Sequence, residues 1–500
     1  MRLQKYSLKI KQYPKALVEG IFRKLKKKID TNNFILSKPN SQETSSKKHI
    51  HSKLSVIKPL PVPKKIHIFD NFKSISYRYL WISTVIFSGA FWLQQVVIGW
   101  LAYEVTKSAS ITTFIMGLDA LPILLGGPLG GAISDKFDKR HLLTFIYSYQ
   151  AVLMIIFSII IITGQNNTWT IMGFVLLMGL AWTIHDPARM SLISSIVPKE
   201  NLINAFALNS MAFSLMRLII PAVGGIMIAT ISIWPILIIE ASLMILAGIV
   251  VQLIAISDSD DKRISRQNPS LGNIFPEMRS GIHFVITHPT VIGFMFLTFL
   301  MVLLVVPFFS ALIPVYSATI YNVGAKGLGL LLSAAGLGSL LGTMMLASCG
   351  QLKRPGIISF NVLIIIAILM IAISLNTHYE FALLLTMLIS GAMMTFFSVV
   401  GATVQSILPE HMRGKVTGIY MMCWGLIPFG SMASGFIANG IGADLATRIG
   451  ALFLTVGITI SFFIFRNVWN FRMTSSDESI EKNRNTVPNI PDLLEEPSTS

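Results

Sequence analysis

Apolar residues fill most of this chain in blocks of about 20. That is the length a helix needs, at 1.5 Å per residue, to cross a bilayer core about 30 Å thick. The first six blocks lie near 79–103, 111–135, 141–164, 169–188, 205–230 and 234–256. Six more follow near 290–317, 327–348, 357–376, 380–406, 415–440 and 446–467. Between the sixes stands the longest internal polar stretch, SDSDDKRISRQNPSLGNIFPEMRSG from Ser257. The pattern predicts an all-α membrane protein of twelve transmembrane helices in two six-helix bundles. Its parts are an N-terminal extension (1–78), a first bundle (79–256), a linker (257–289), a second bundle (290–468) and a C-terminal tail (469–500).

Composition agrees: 53% of the residues are hydrophobic and only 13% are charged, about half the share in soluble chains. This disfavours a cytosolic enzyme, a fully disordered chain and, with two cysteines, a disulfide-stapled secreted domain. The formal charge is nevertheless +16. Residues 1–78 carry 19 Lys+Arg against Glu19, Asp30, Glu43 and Asp70, a net +15, whereas the remainder has 21 basic and 20 acidic residues. An even number of spans puts both termini on one side. Loops and tails on that side hold 36 Lys+Arg, and the opposite loops hold Lys107, Lys326 and Arg448. Basic residues collect on the cytoplasmic face, so both termini are expected there.

Three ionisable residues interrupt the apolar spans: Asp119, Arg217 and Glu240. Each costs about 2.5–3.5 kcal/mol at a helix centre on insertion scales, so each needs a reason. Counted along their helices, all three fall at similar depths in the outer half, which suggests a shared polar cluster. A carboxylate that loses its proton in one conformation and regains it in another is the simplest proton-coupling device. Asp119 is the first candidate and Glu240 the second, with Arg217 as the partner that biases them. The competing reading is a static Arg217–Glu240 pair stitching the fifth and sixth spans.

Gln94 and Gln95 lie mid-span between Trp92 and Trp100. Amides and indoles on a cavity-lining helix suit an amphipathic organic ligand. Phe308, Phe309, Gln405 and Trp424 offer similar chemistry in the second half, although packing explains any one aromatic equally well. No phosphate-cradling Gly-x-x-x-x-Gly-Lys loop is present, which argues against a built-in ATPase. Cys349 and Cys423 form no metal spacing. His185 beside Asp186 reads as part of the loop that ends the fourth span.

The halves echo each other. SLISSIVPKENLINAFALNSMAFSLMRLIIPAVGG and VQSILPEHMRGKVTGIYMMCWGLIPFGS each run from a proline through a polar turn and a long helix to a second proline and a glycine. Duplicated halves are what alternating-access transporters use. The loop after the second span reads Gly130-Gly131-Ala-Ile-Ser-Asp135-Lys136-Phe-Asp138-Lys139-Arg140. It resembles the signature loop of the major facilitator superfamily, departing at Asp138, where the general pattern has glycine. GWLAYEVTKSAS, LPILLGGPLGGAISDKFDKRHLL, DPARMSLISSIVPKENLINAFALNS and RLIIPAVGG follow one another as in the enterobactin-exporter and macrolide-efflux branch. The resemblance covers about residues 79–468 and is not specific for a substrate. It implies that Asp135 faces the start of the eleventh helix. Lys136, Lys139 and Arg140, together with Gly131, would then form a latch with Asp186.

In the N-terminal extension, YPKALVEGIFRKLKKKI has the spacing of an amphipathic helix on anionic lipid, followed by a Ser-, Lys- and Pro-rich linker. The expected function is proton-coupled export of a small amphipathic molecule, such as a siderophore or macrolide-like compound, across a bacterial inner membrane. The alternatives are a lipid or lysolipid flippase and a non-transporting receptor or scaffold. Neither catalysis nor a cofactor beyond the proton gradient is expected. The expected partners are the substrate and membrane lipids, not nucleic acid, with the protein acting as a monomer.

Overall fold

The computed structural model describes residues 70–198, 201–255, 274–348 and 352–472. The amphipathic stretch of the N-terminal extension, most of the polar linker and the tail beyond residue 472 lie outside the described residues. All regular structure within them is helical.

In the first half, helices α1 (Ile75–Thr106), α2 (Ala109–Leu118), α3 (Leu121–Lys136), α4 (Lys139–Ile162), α5 (Thr168–Ile196), α6 (Leu202–Thr230) and α7 (Ile233–Gln252) follow in order. In the second, α8 (Ile274–Thr287) precedes α9 (Pro289–Leu300), which continues as an irregular run to Ile320. Then come α10 (Gly324–Ser348), α11 (Pro355–Leu375), α12 (Tyr379–Ile407), α13 (Glu410–Trp424), α14 (Ile427–Ile441) and α15 (Ala443–Ile464). Eleven stretches are long and apolar enough to span a membrane, α13–α14 counting as one. The consecutive pair α2–α3 accounts for a further span, in agreement with twelve.

Prolines set the breaks. A helical proline lacks an N–H and its ring collides with the carbonyl four residues back. Pro122 and Pro428 sit four residues after Leu118 and Trp424, where α2 and α13 end. Pro307 and Pro314 likewise fall in the irregular run after α9, which alternates π, α and 3-10 turns. Side-chain caps fix several starts: Asp138 accepts from the Arg140 and His141 amides, and Asn167 forms a capping box with Thr170.

Two hydrophobic cores form, one from the helices between Tyr77 and Ile254 and one mostly from residues 285–468. The outer surface is apolar as well: Phe436 is 77% and Phe463 65% exposed, the arrangement of a protein solvated by lipid. Part of the expected linker is ordered as α8, whose Gly281 packs on Lys415 and Ile419 of α13.

The bundles meet through small residues. A Cβ on Gly225 of α6 would lie 2.6 Å from the Ala325 carbonyl oxygen of α10, and one on Gly336 would lie 2.5 Å from that of Arg217. Between α2 and α14, Ser110 donates to the Gly435 carbonyl at 3.0 Å and Thr113 to that of Ser431 at 2.9 Å. Apart from the mid-helix Gly336–Arg217 contact, these lie in the half of the molecule away from Ile75 and Ile464, here the far end. Toward the opposite, near end the seam along α13 is less filled. Gly425 of α13 packs against Leu124, but Gly418 and Gly414, 7 and 11 residues earlier on the same helix face, have nothing within 4 Å. Among the described residues, the bundles are in contact toward the far end, and this face of α13 borders open space toward the near end.

Candidate functional site

The break between α2 and α3 carries Asp119. The Gln95 amide donates to its carboxylate at 3.3 Å, linking α1 to the break. Behind it, Gly179 of α5 lets the Asp119 backbone approach too closely for any side chain at that position. Across the bundle interface, the break between α13 and α14 carries Trp424, whose ring stacks obliquely on Phe397 at 4.7 Å. Ala120, Val302 and Ile427 form an apolar cluster there, with Ile123, Phe397 and Trp424 packed against it. Two proline-induced breaks thus face each other from opposite bundles beneath the far end. Interrupted spans leave backbone polar groups free at membrane depth, which is where transporters place their sites.

Arg217 projects from α6 toward α1, its guanidinium carbon 5.0 Å from the centroid of the Trp92 ring. Phe213 lies 5.3 Å from Trp92, and Phe91 stacks on Trp182 at 4.6 Å. These half-buried rings line one wall of the first bundle. Below them, toward the near end, His185 is fully buried. It stacks on Phe87 at 3.9 Å, and its Nε2 is 3.2 Å from the Tyr147 hydroxyl. Its Nδ1 is 3.4 Å from Asp186, which also pairs with Arg189 at 3.1 Å.

The expected three-residue cluster does not form. Asp119 meets Gln95, Arg217 meets Trp92, and Glu240 is fully buried with neither carboxylate oxygen bonded among the described residues. Equal depth fixes the height of a residue on its helix and leaves its azimuth open, and these helices turn the three side chains to different neighbours.

Of the expected latch, Lys139, Arg140 and Asp186 are described, and Asp186 pairs with neither of the two cations. Arg140 turns to Asp138 at 3.6 Å and to the Ile254 carbonyl at 3.0 Å, Asp186 is engaged by Arg189, and Lys139 is buried. The side chains of Asp135 and Lys136, and the surroundings of Gly131, lie outside the described residues. Asp138, the departure from the superfamily pattern, serves as the cap of α4.

Among the expected ligand residues, Trp92 lines the wall described above, Gln95 holds Asp119 at the first break, and Trp424 stands at the second. Gln94 is buried, 8% exposed. Phe308 and Phe309 are packed in the second core, Phe308 against Gly450 of α15. Gln405 bonds the Thr417 hydroxyl at 2.7 Å toward the near end. The position expected for His185 is corrected: α5 does not end near residue 188 but continues to Ile196. Sequence analysis named His185 and Asp186 but missed their grouping with Trp182 and Arg189, whose spacing of three and four places all four along one side of a helix.

Residues 67–494 match the family described as transmembrane secretion effector. The staphyloferrin A transporter of Staphylococcus aureus is 21% identical, over 81% of this chain and 99% of its own length. Macrolide efflux protein A of Streptococcus pyogenes is 22% identical, over 70% of this chain and 86% of its own. Among solved structures, a nucleoside transporter superposes with a TM-score of 0.62 at 14% identity, covering 78% of this chain and all of its own. A bacterial homologue of the human lysosomal transporter Spinster also gives 0.62, at 13% identity, covering 81% of this chain and all of its own. Those likenesses establish the fold. The family match, the efflux-type relatives and the paired bundles together make this chain a member of the transmembrane secretion effector family, a multi-pass permease of the efflux branch of the major facilitator superfamily.

Proposed function

We propose that this permease is a proton-coupled exporter of a small amphipathic organic molecule, acting as a monomer in a bacterial inner membrane. The observation that carries the reading is the Gln95–Asp119 hydrogen bond at the broken second span. It puts an ionisable group, held by a neutral donor, where the two bundles part. With the termini in the cytoplasm, the near end faces inward, and the described state is the one that loads cargo from inside.

Rocking the bundles closes the near seam and opens the contacts of α2 with α14 and of α6 with α10. Asp119 then meets the outside, takes a proton and loses its charge. Return to the inward-facing state delivers that proton to the cytoplasm. One proton crossing is worth about 2.3 kcal/mol per 100 mV before any pH gradient is counted. The efflux names of the relatives support outward movement of the cargo.

The test is proton flux in proteoliposomes holding the purified full chain, with cargo identified by profiling cells and medium of a deletion strain. Cargo-dependent proton movement that Asp119→Asn abolishes, in a protein that still folds, is the expected result. Full gradient-driven transport by that variant overturns the coupling role of Asp119.

A further inference from the structure

Two donors on the wall of the first bundle lack acceptors. The guanidinium of Arg217 has no ion pair or hydrogen bond among the described residues, and its one described partner is the face of Trp92 at 5.0 Å. The indole N–H of the same Trp92 is buried and has no acceptor. An indole face is a weaker partner for the half-buried Arg217 guanidinium than an oxyanion, so its pairing is left incomplete. Neither acid of the neighbouring spans relieves it, because Asp119 is held by Gln95 and Glu240 has no partner. Arg189, the next cation on this side, is already paired with Asp186.

We infer that Arg217 and Trp92 form an anion-binding subsite, and that the cargo carries a carboxylate or comparable oxyanion joined to an apolar or aromatic body. A carboxylate accepts two parallel N–H bonds from a guanidinium, the strongest geometry open to either group in a low-dielectric site. It also offers an oxygen to the indole N–H. The rings of Phe91, Trp182 and Phe213 give the attached body a flat apolar wall. An amine-bearing cargo would meet like charge at Arg217, so the subsite selects against it. The inference rests on the export reading for its biological sense and on the geometry alone for the binding.

The experiment measures binding of three matched probes to the full chain in detergent, without any gradient: 2-naphthoate, the neutral 2-naphthamide and the cationic 2-naphthylmethylammonium. Wild type is expected to bind naphthoate at least about tenfold tighter than naphthamide, or about 1.4 kcal/mol, and the ammonium most weakly. Arg217→Gln should erase that preference and leave naphthamide binding within twofold, while Arg217→Lys keeps part of it and controls for folding. Equal affinity for the anion and the amide, no binding of naphthoate, or an unchanged preference in Arg217→Gln each overturns the subsite. Anion selectivity without cargo-linked proton flux in vesicles would instead overturn the export reading and leave the subsite standing.

Discussion

The Gln95 amide and the Asp119 carboxylate meet at 3.3 Å across the junction of α1 with the broken second span. A hydrogen bond to a charged group contributes about 1.5–3 kcal/mol, and its loss leaves the carboxylate without that donor at membrane depth. Gln95→Leu is therefore expected to lower the initial rate of gradient-driven transport about tenfold or more, with the protein still folded. A rate equal to wild type would show that this bond plays no part in turnover.

Closure of the far end can be locked chemically. The Ser108 hydroxyl of the α1–α2 turn lies 3.4 Å from the Asn439 side chain of α14, on the exposed rim. With both native cysteines replaced, the pair Ser108→Cys and Asn439→Cys is expected to cross-link under mild oxidation and to stop transport. Reduction should restore it. Undiminished transport by fully cross-linked protein would mean that α2 and α14 need not part.

Glu240 is buried with both carboxylate oxygens unbonded among the described residues. An unsatisfied buried polar group costs about 1–3 kcal/mol, which an apolar side chain of similar size removes. Glu240→Leu should raise the thermal unfolding midpoint in detergent and leave transport intact. Proton coupling at Glu240 predicts the opposite outcome, loss of transport.

Asp138 caps α4 through the amides of Arg140 and His141, at 2.9 and 3.0 Å. Partial burial pushes its carboxyl up. The His141 amide, the Arg140 charge and the Arg140 amide together outweigh that and hold it below the usual carboxylate range. The capped form is thus favoured above the ordinary carboxylate pKa, and its stabilisation fades as pH falls through the lowered value. Asp138→Ala should cost about 1 kcal/mol at neutral pH. The difference from wild type should shrink in acid, read from unfolding midpoints at pH 7 and pH 3. A difference independent of pH would mean that the cap does not act through its charge.

Several elements were legible in the residues themselves. The observed helices start and stop within a few residues of the apolar blocks, because the length of a spanning helix is set by the bilayer and not by its neighbours. The fourth span ran longer than expected because its last turns, HDPARMSLISSI, are polar enough to read as a loop. Tyr147, Phe87 and the Asp186–Arg189 pair make those residues suitable for a helix interior. The break in the second span was written in Pro122, yet hydropathy averaged over the block hid it.

By itself the sequence determined the all-helical class, the positions of the spans and the two-bundle plan, which follow from local composition and repeat, while its motifs carried the resemblance to the family. Only the tertiary structure decided that Asp119, Arg217 and Glu240 have separate partners, and that His185 lies in a buried cluster. It alone decided where the bundles touch, at Gly225, Gly336 and Gly435, and where α13 borders open space, at Gly414 and Gly418. Depth along a helix is a one-dimensional quantity that a sequence contains. Azimuth and bundle tilt depend on which small residues of one helix meet which carbonyls of another, as Gly225 meets Ala325 and Gly435 meets Ser110. That matching exists only once the chain is folded.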